Sequence, residues 1–157
     1  MIKIGDTLPQ TKLQQLTNEG SQTLDNQQLF AGKKVLMFAV PGAFTPTCSN
    51  THLPGYVVNF DEFKAKGVDS IICLSVNDAF VMKAWGESQN AENIMMLADG
   101  DGAFTKALGL DSNTGAFGGL RSQRYAMLVE DGVVTVLNVE APKKFEVSNA
   151  ETMLAAI

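Results

Sequence analysis

The sequence predicts an α/β fold, a central mixed β-sheet flanked by helices, and three observations carry that expectation. Val35-Leu36-Met37-Phe38-Ala39-Val40 is a continuous apolar run stopped by Pro41-Gly42, and a second run lies between Val68 and Val76. Runs without a polar face read as strands buried on both sides. The segment between them, from Pro46 to about Lys66, has to return the chain, which makes the pair a parallel crossover. Further on, Tyr125 to Glu130 and Val133 to Val139 flank Asp131-Gly132, a two-residue antiparallel hairpin signal. A sheet with both kinds of pairing is mixed.

The remaining elements follow in order. Asp78-Ala79-Phe80-Val81-Met82-Lys83-Ala84-Trp85 reads as a helix, capped by Asn77 or Asp78. Ile94 to Ala98 is a third strand, and Ala103 to Leu108 a short helix ended by Gly109. Ser148-Asn149-Ala150-Glu151 has the S-x-x-E form of a capping box ahead of a closing helix. Pro54-Gly55 disfavours a regular helix interior, so the helix after the first strand kinks or restarts there. No repeat, low-complexity tract or long linker divides the chain, and residues 1–157 read as a single domain similar to thioredoxin-like domains.

Twelve Lys and Arg against seventeen Asp and Glu leave a net charge of −5. That balance lacks the positive field a phosphate backbone needs, which argues against nucleic-acid binding. The longest apolar run has six residues, where a bilayer span needs about 20. The opening Met1-Ile2-Lys3-Ile4-Gly5-Asp6 does not have the charged-then-apolar pattern of a secretion leader. Two cysteines are too few for a disulfide framework, so the expected compartment is the reducing cytoplasm.

The chemistry concentrates in Pro41-Gly42-Ala43-Phe44-Thr45-Pro46-Thr47-Cys48. Pro41 ends a buried strand, Thr45 is a good N-cap, and Pro46 suits a first helical position because its missing N–H costs nothing there. Cys48 then falls in the first turn, where free N–H groups and the positive end of the helix dipole favour an anion. A thiol so placed is drawn towards thiolate, the reactive form. A free cysteine elsewhere is more often just a small buried apolar residue. The cap at the carboxyl end of a buried strand, where open α/β sheets gather their ligand sites, reverses that preference.

The same stretch resembles the active-site signature of the peroxiredoxins, and VPGAFTPTCSNTHLPGY closely resembles their peroxiredoxin-five (type II) subgroup. The likeness continues through Cys73-Leu74-Ser75-Val76-Asn77-Asp78-Ala79-Phe80-Val81, Arg121-Ser122-Gln123-Arg124-Tyr125-Ala126-Met127 and Leu137-Asn138-Val139-Glu140. It implies a thioredoxin-like fold and a thiol peroxidase acting on hydrogen peroxide and small alkyl hydroperoxides. Cys48 is then the nucleophile that becomes a sulfenic acid. The resemblance implies that Thr45 turns its hydroxyl to the peroxide, that Arg124 favours the thiolate and the departing oxygen, and that Pro41 shields the sulfur. Phe44 and Phe117 match apolar positions able to accept an alkyl tail. His52, four residues beyond Cys48, is expected to support the site without acting as proton acceptor. The family also implies a homodimer, with Phe80 a candidate contact.

One departure matters. Many relatives resolve the sulfenic acid with a second cysteine near the C-terminus, and Ala141 to Asn149 contains none. Cys73, inside an apolar strand, reads as a buried inert thiol. The expected mechanism is therefore one-cysteine, with glutathione or a glutaredoxin as external reductant, most like bacterial relatives that carry a fused glutaredoxin module. Neither a bound cofactor nor a metal is expected, since one histidine makes a poor metal site. Two other functions compete: a Cys–His hydrolase using Cys48 and His52, and a peroxide sensor without turnover.

Overall fold

A computed structural model describes residues 1–157. The chain opens with a hairpin, β1 (Lys12–Thr17) and β2 (Gly20–Asp25), followed by α1 (Asn26–Leu29) and β3 (Lys34–Ala39). A π-helical turn (Cys48–His52) leads into α2 (Leu53–Val58) and α3 (Phe60–Ala65), then β4 (Ser70–Ser75), α4 (Ala79–Ser88), β5 (Met95–Ala98) and α5 (Ala103–Leu108). A small hairpin follows, β6 (Asp111–Asn113) and β7 (Leu120–Ser122), before β8 (Tyr125–Glu130), β9 (Val133–Val139) and α6 (Ala150–Ala156). The main sheet has the order β2-β1-β5-β4-β3-β8-β9. Its centre is parallel, β3 with β4 and β4 with β5, and β8 joins β3 antiparallel. The sheet is mixed, as the apolar runs and the hairpin signal require.

The central strands show why those runs carry no polar face. On β3, Leu36 and Phe38 with the following Val40 pack into a core that includes Cys48, Tyr56, Trp85 and Met153. The alternate residues Val35, Met37 and Ala39 pack into a second core with Leu29, Phe104 and Leu108. β4 divides in the same way, with Ile71 and Cys73 on the first side and Ile72 and Leu74 on the second. Side chains alternate across a strand, so a sheet covered on both faces needs apolar residues at every position. The β8–β9 turn has Asp131 at φ 48° and Gly132 at φ 80°, the paired positive φ of a type I′ hairpin.

Of three local expectations, two are refined by the structure and one fails. The helix after Cys48 does break, but it starts as a π turn, with the Leu53 N–H donating to the Cys48 carbonyl five residues back. Pro54 explains the wide turn, because it has no N–H for an α-type bond to Asn50 and its ring would crowd that carbonyl. Asp78, not Asn77, caps α4, accepting from the Val81 N–H at 2.8 Å. The S-x-x-E box does not form: Asn149 is the N-cap of α6, and the Ser148 hydroxyl turns away to donate to the Glu140 carboxylate at 2.7 Å. A buried carboxylate is the stronger acceptor and wins the hydroxyl. The hairpins β1–β2 and β6–β7 carry no clear hydrophobic alternation, and five of the six residues on β2, all but Leu24, are exposed.

Candidate active site

The strand β3 ends in a loop that turns directly into the helical segment carrying Cys48. That loop is pinned from the side: Asn77 Oδ1 accepts from the Ala43 N–H at 3.0 Å and from the Ser75 hydroxyl at 2.6 Å. Phe44 takes φ 65°, an unusual value for a bulky residue. Thr45 starts the helical segment, its carbonyl accepting from the Ser49 N–H at 2.9 Å. Its hydroxyl donates back to the Gly42 carbonyl at 2.7 Å rather than capping. One residue beyond the cysteine, the Ser49 hydroxyl accepts from the buried Trp85 indole at 3.0 Å, which ties the turn to α4.

Cys48 is fully buried, and one group reaches its sulfur from another element. Arg124, just before β8, donates from Nη2 to Cys48 Sγ at 3.1 Å and from Nη1 to His52 Nδ1 at 2.8 Å. Arginine has donors only, so Nδ1 must be the acceptor. The other imidazole nitrogen, Nε2, then carries the hydrogen and donates to the Ser148 carbonyl at 3.1 Å. Burial first, and the adjacent Arg124 charge second, lower the His52 pKa from 6.5 to about 3, which keeps the ring neutral. His52 thus holds the guanidinium against the sulfur. Both of its nitrogens are occupied, which leaves none to take a proton from Cys48 as a hydrolase would require.

A second tier fixes that histidine. The Ser148 carbonyl also accepts from the Tyr56 hydroxyl at 2.6 Å, and Tyr56 stacks on Phe38 of β3 with centroids 4.1 Å apart. The segment bearing Ser148 is clasped by Glu140. Its carboxylate accepts from the backbone N–H groups of Glu146, Val147 and Ser148 at 2.8–2.9 Å, besides the Ser148 hydroxyl. Burial pushes the Glu140 carboxyl up, but these donors outweigh it and hold the pKa below the ordinary value of 4.5. The clasp also seats the Phe145 ring, which lies 5.8 Å from the Arg124 guanidinium and 4.9 Å from the imidazole.

An open cavity of about 630 Å³ adjoins this centre. Pro41, Thr47, Phe117, Arg124 and Phe145 are among the residues that line it. Of the residues singled out in the sequence, Pro41, Phe117 and Arg124 border this space, while Cys48 and His52 lie fully buried beyond it. Phe44 does not line it; it is 55 % exposed and faces Trp85 with centroids 6.5 Å apart. Cys73 sits within β4, fully buried, and desolvation foremost pushes its thiol pKa well up. Asn77, Trp85, Glu140, Phe145 and Ser148 were not singled out as parts of the site. Asn77 and Glu140 left a trace, as parts of the matching Cys73 to Val81 and Leu137 to Glu140 strings.

Comparison with known proteins gives this geometry a family. The Redoxin family model matches residues 3–154. The chain is 48% identical over 159 residues to Peroxiredoxin-2C of Oryza sativa subsp. japonica, covering 99% of this chain and 98% of that protein. It is 49% identical to Peroxiredoxin-2E, chloroplastic, of Arabidopsis thaliana, covering 99% of this chain and 69% of that protein. Among solved structures, reduced Prx3 from Vibrio vulnificus in complex with H2O2 superposes with a TM-score of 0.97 at 70% identity, covering 99% of both chains. The chloroplastic relative shows that this family is not confined to the cytoplasm, and no helix is long and apolar enough to cross a membrane. A cysteine at the start of a helix, bridged by an arginine from the neighbouring strand region, in a fold matched along nearly its whole length, places the chain in the Redoxin family as a type II peroxiredoxin, a thiol peroxidase.

Proposed function

We propose that the chain, acting as one domain over residues 1–157, reduces hydrogen peroxide and small alkyl hydroperoxides through Cys48 alone and is recycled by an external thiol, glutathione or a glutaredoxin. The Cys48 thiolate attacks one peroxide oxygen, the O–O bond breaks, and the departing oxygen leaves as water or an alcohol after taking a proton. Sulfur is oxidised by two electrons and becomes the sulfenic acid. Arg124 supports the thiolate before the attack and the growing negative charge on oxygen during it. The Thr45 hydroxyl, already donating to Gly42, has lone pairs left to accept a hydrogen bond from the peroxide. Pro41 closes the pocket wall beside the sulfur. The reaction is carried by sulfur and needs no bound cofactor.

The observation that carries this reading is the Arg124 bridge between Cys48 Sγ and a neutral His52. An external reductant is supported by the burial of Cys73 within β4, where desolvation first and the nearby Cys48 charge second push its thiol pKa well up and make it a poor attacking group. The test is intact mass after one equivalent of hydrogen peroxide and then glutathione, on the wild type and Cys73→Ser. One added oxygen, exchanged for one glutathione in both proteins, is the expected result. A loss of two hydrogens in the wild type alone would mean that the two cysteines pair.

A further inference from the structure

The geometry points to the cavity beside Cys48 as a site for the carboxylate of an anionic thiol, so that the reductant is recognised by its negative charge. This rests on the external-thiol reading above and adds the feature by which such a thiol is recognised.

Four cationic side chains line the cavity: Arg121, Arg124, Lys143 and Lys144. The chain as a whole is acidic, at −5, so this gathering runs against its overall charge. The single carboxylate in the lining belongs to Glu140, and its oxygens already accept from Glu146, Val147 and Ser148. The one ion pair in the structure, Lys83 with Glu87, lies elsewhere on α4. None of the four cavity cations is therefore paired with a protein carboxylate. A cleft lined by one sign of charge concentrates ligands of the opposite sign.

The fold also makes room for this lining. Arg121 donates from Nη1 to the Pro41 carbonyl at 3.2 Å and lies 5.4 Å from the Phe117 ring centroid, while its buried Nε has no partner. Gly42 and Gly118 flank it, and a Cβ at either would collide with the guanidinium. Across the cavity, a tight turn with the Lys144 N–H donating to the Ala141 carbonyl at 3.0 Å holds Lys143 at φ 64°. Left-handed backbone at a lysine is costly, and here it sits where the lysines line the cavity.

Access gives the reason for assigning the charge preference to the thiol. The sulfenic acid on Cys48 must meet a sulfur from outside, since Cys73 is enclosed within β4. The cavity is the space that reaches the Pro41, Thr47 and Arg124 wall of the site. In that step the incoming thiol forms an S–S bond with Cys48 and the sulfenic hydroxyl leaves as water. A second thiol then attacks the mixed disulfide, which restores the Cys48 thiol and releases the reductant as its own disulfide. A carboxylate on the first thiol can rest against the cations while its sulfur approaches.

The experiment oxidises the protein with one equivalent of hydrogen peroxide and follows reduction by 3-mercaptopropionate and by 2-mercaptoethanol. Each rate is corrected to the thiolate present. The ratio of the two rate constants, anionic over neutral, should exceed one in the wild type. It should fall about tenfold in Lys143→Gln/Lys144→Gln, the lower end of what a charge-lined cleft contributes. In the wild type it should fall as salt rises from about 0.01 M to about 1 M, where the Debye length drops from about 30 to about 3 Å. This second measurement does not depend on the folding of a variant. A ratio of one that is indifferent to salt overturns the inference while leaving the one-cysteine cycle standing. Failure of both thiols and of glutathione to reduce the sulfenic acid overturns that cycle and the inference with it.

Discussion

Arg124 and His52 act as a pair, and each can be tested alone. Arg124→Lys keeps the charge but lacks the fork that holds Cys48 Sγ and His52 Nδ1 together. A hydrogen bond to a charged group contributes about 1.5–3 kcal/mol, so the second-order rate of oxidation by hydrogen peroxide should fall by about 10- to 100-fold. Stopped-flow fluorescence of Trp85 is the direct measurement, and a lysine variant at wild-type rate would show that charge alone suffices. His52 makes a different prediction. Its folded pKa, about 3, lies below the unfolded value of 6.5, so the unfolded chain binds the proton first as pH falls. Stability is then fully present above pH 6.5 and declines on acidification towards pH 3 by up to about 1.4 kcal/mol per pH unit. Urea unfolding across that window should show the slope, and His52→Asn should flatten it.

At the level of elements, the segment between β9 and α6 decides whether the site is assembled. It has no regular structure, yet it supplies the Ser148 carbonyl to His52 and the Phe145 ring to Arg124. Glu140 closes it like a staple, and removing the charge should loosen it. Glu140→Gln replaces one accepting oxygen by a donor facing backbone N–H groups, at a cost of about 1–3 kcal/mol. Amide exchange at residues 146–148 should accelerate, and peroxide oxidation should slow because His52 loses its fixed partner. The depressed Glu140 pKa sets the pH sense. Its contribution is present above the unfolded carboxylate value and is lost as pH falls through the folded one, so the gap between wild type and variant should close in acid. The π turn is an element-scale device too: Pro54 forces the wide winding, and both Cys48 and His52 on it face one guanidinium.

For the whole molecule, the two-sided sheet makes β3 a rigid base from which the Cys48 loop projects. Three exposed aromatic residues stand away from that core: Phe44 at 55 %, Phe80 at 71 % and Phe117 at 83 %. Exposed apolar side chains that gather into one contiguous patch mark association surfaces. If the homodimer that the family resemblance implies forms through Phe80, it should appear in sedimentation as a species of twice the chain mass, and Phe80→Ser should weaken it. A monomeric wild type at micromolar concentration would remove that reading.

The sequence by itself determined the central strands, the β8–β9 hairpin, the break at Pro54 and the position of Cys48 at a helix start. Each of these is written locally, in runs of apolar residues, in Asp131-Gly132, in a proline, and in Thr45-Pro46. The β1–β2 hairpin was not legible, because an exposed edge strand such as Gly20–Asp25 carries no alternation to read. Ser148 was misplaced for a related reason, since a local S-x-x-E pattern competes with a carboxylate eight residues upstream that only folding brings near. Arg124 could be named by resemblance, but its grip on both Cys48 and His52 spans 76 and 72 residues of chain. The same holds for the clasp of Glu140 and for the unpaired cations around the cavity. Such groups acquire their roles through burial and through donors that arrive from distant segments, and neither is encoded in the spacing of neighbouring residues.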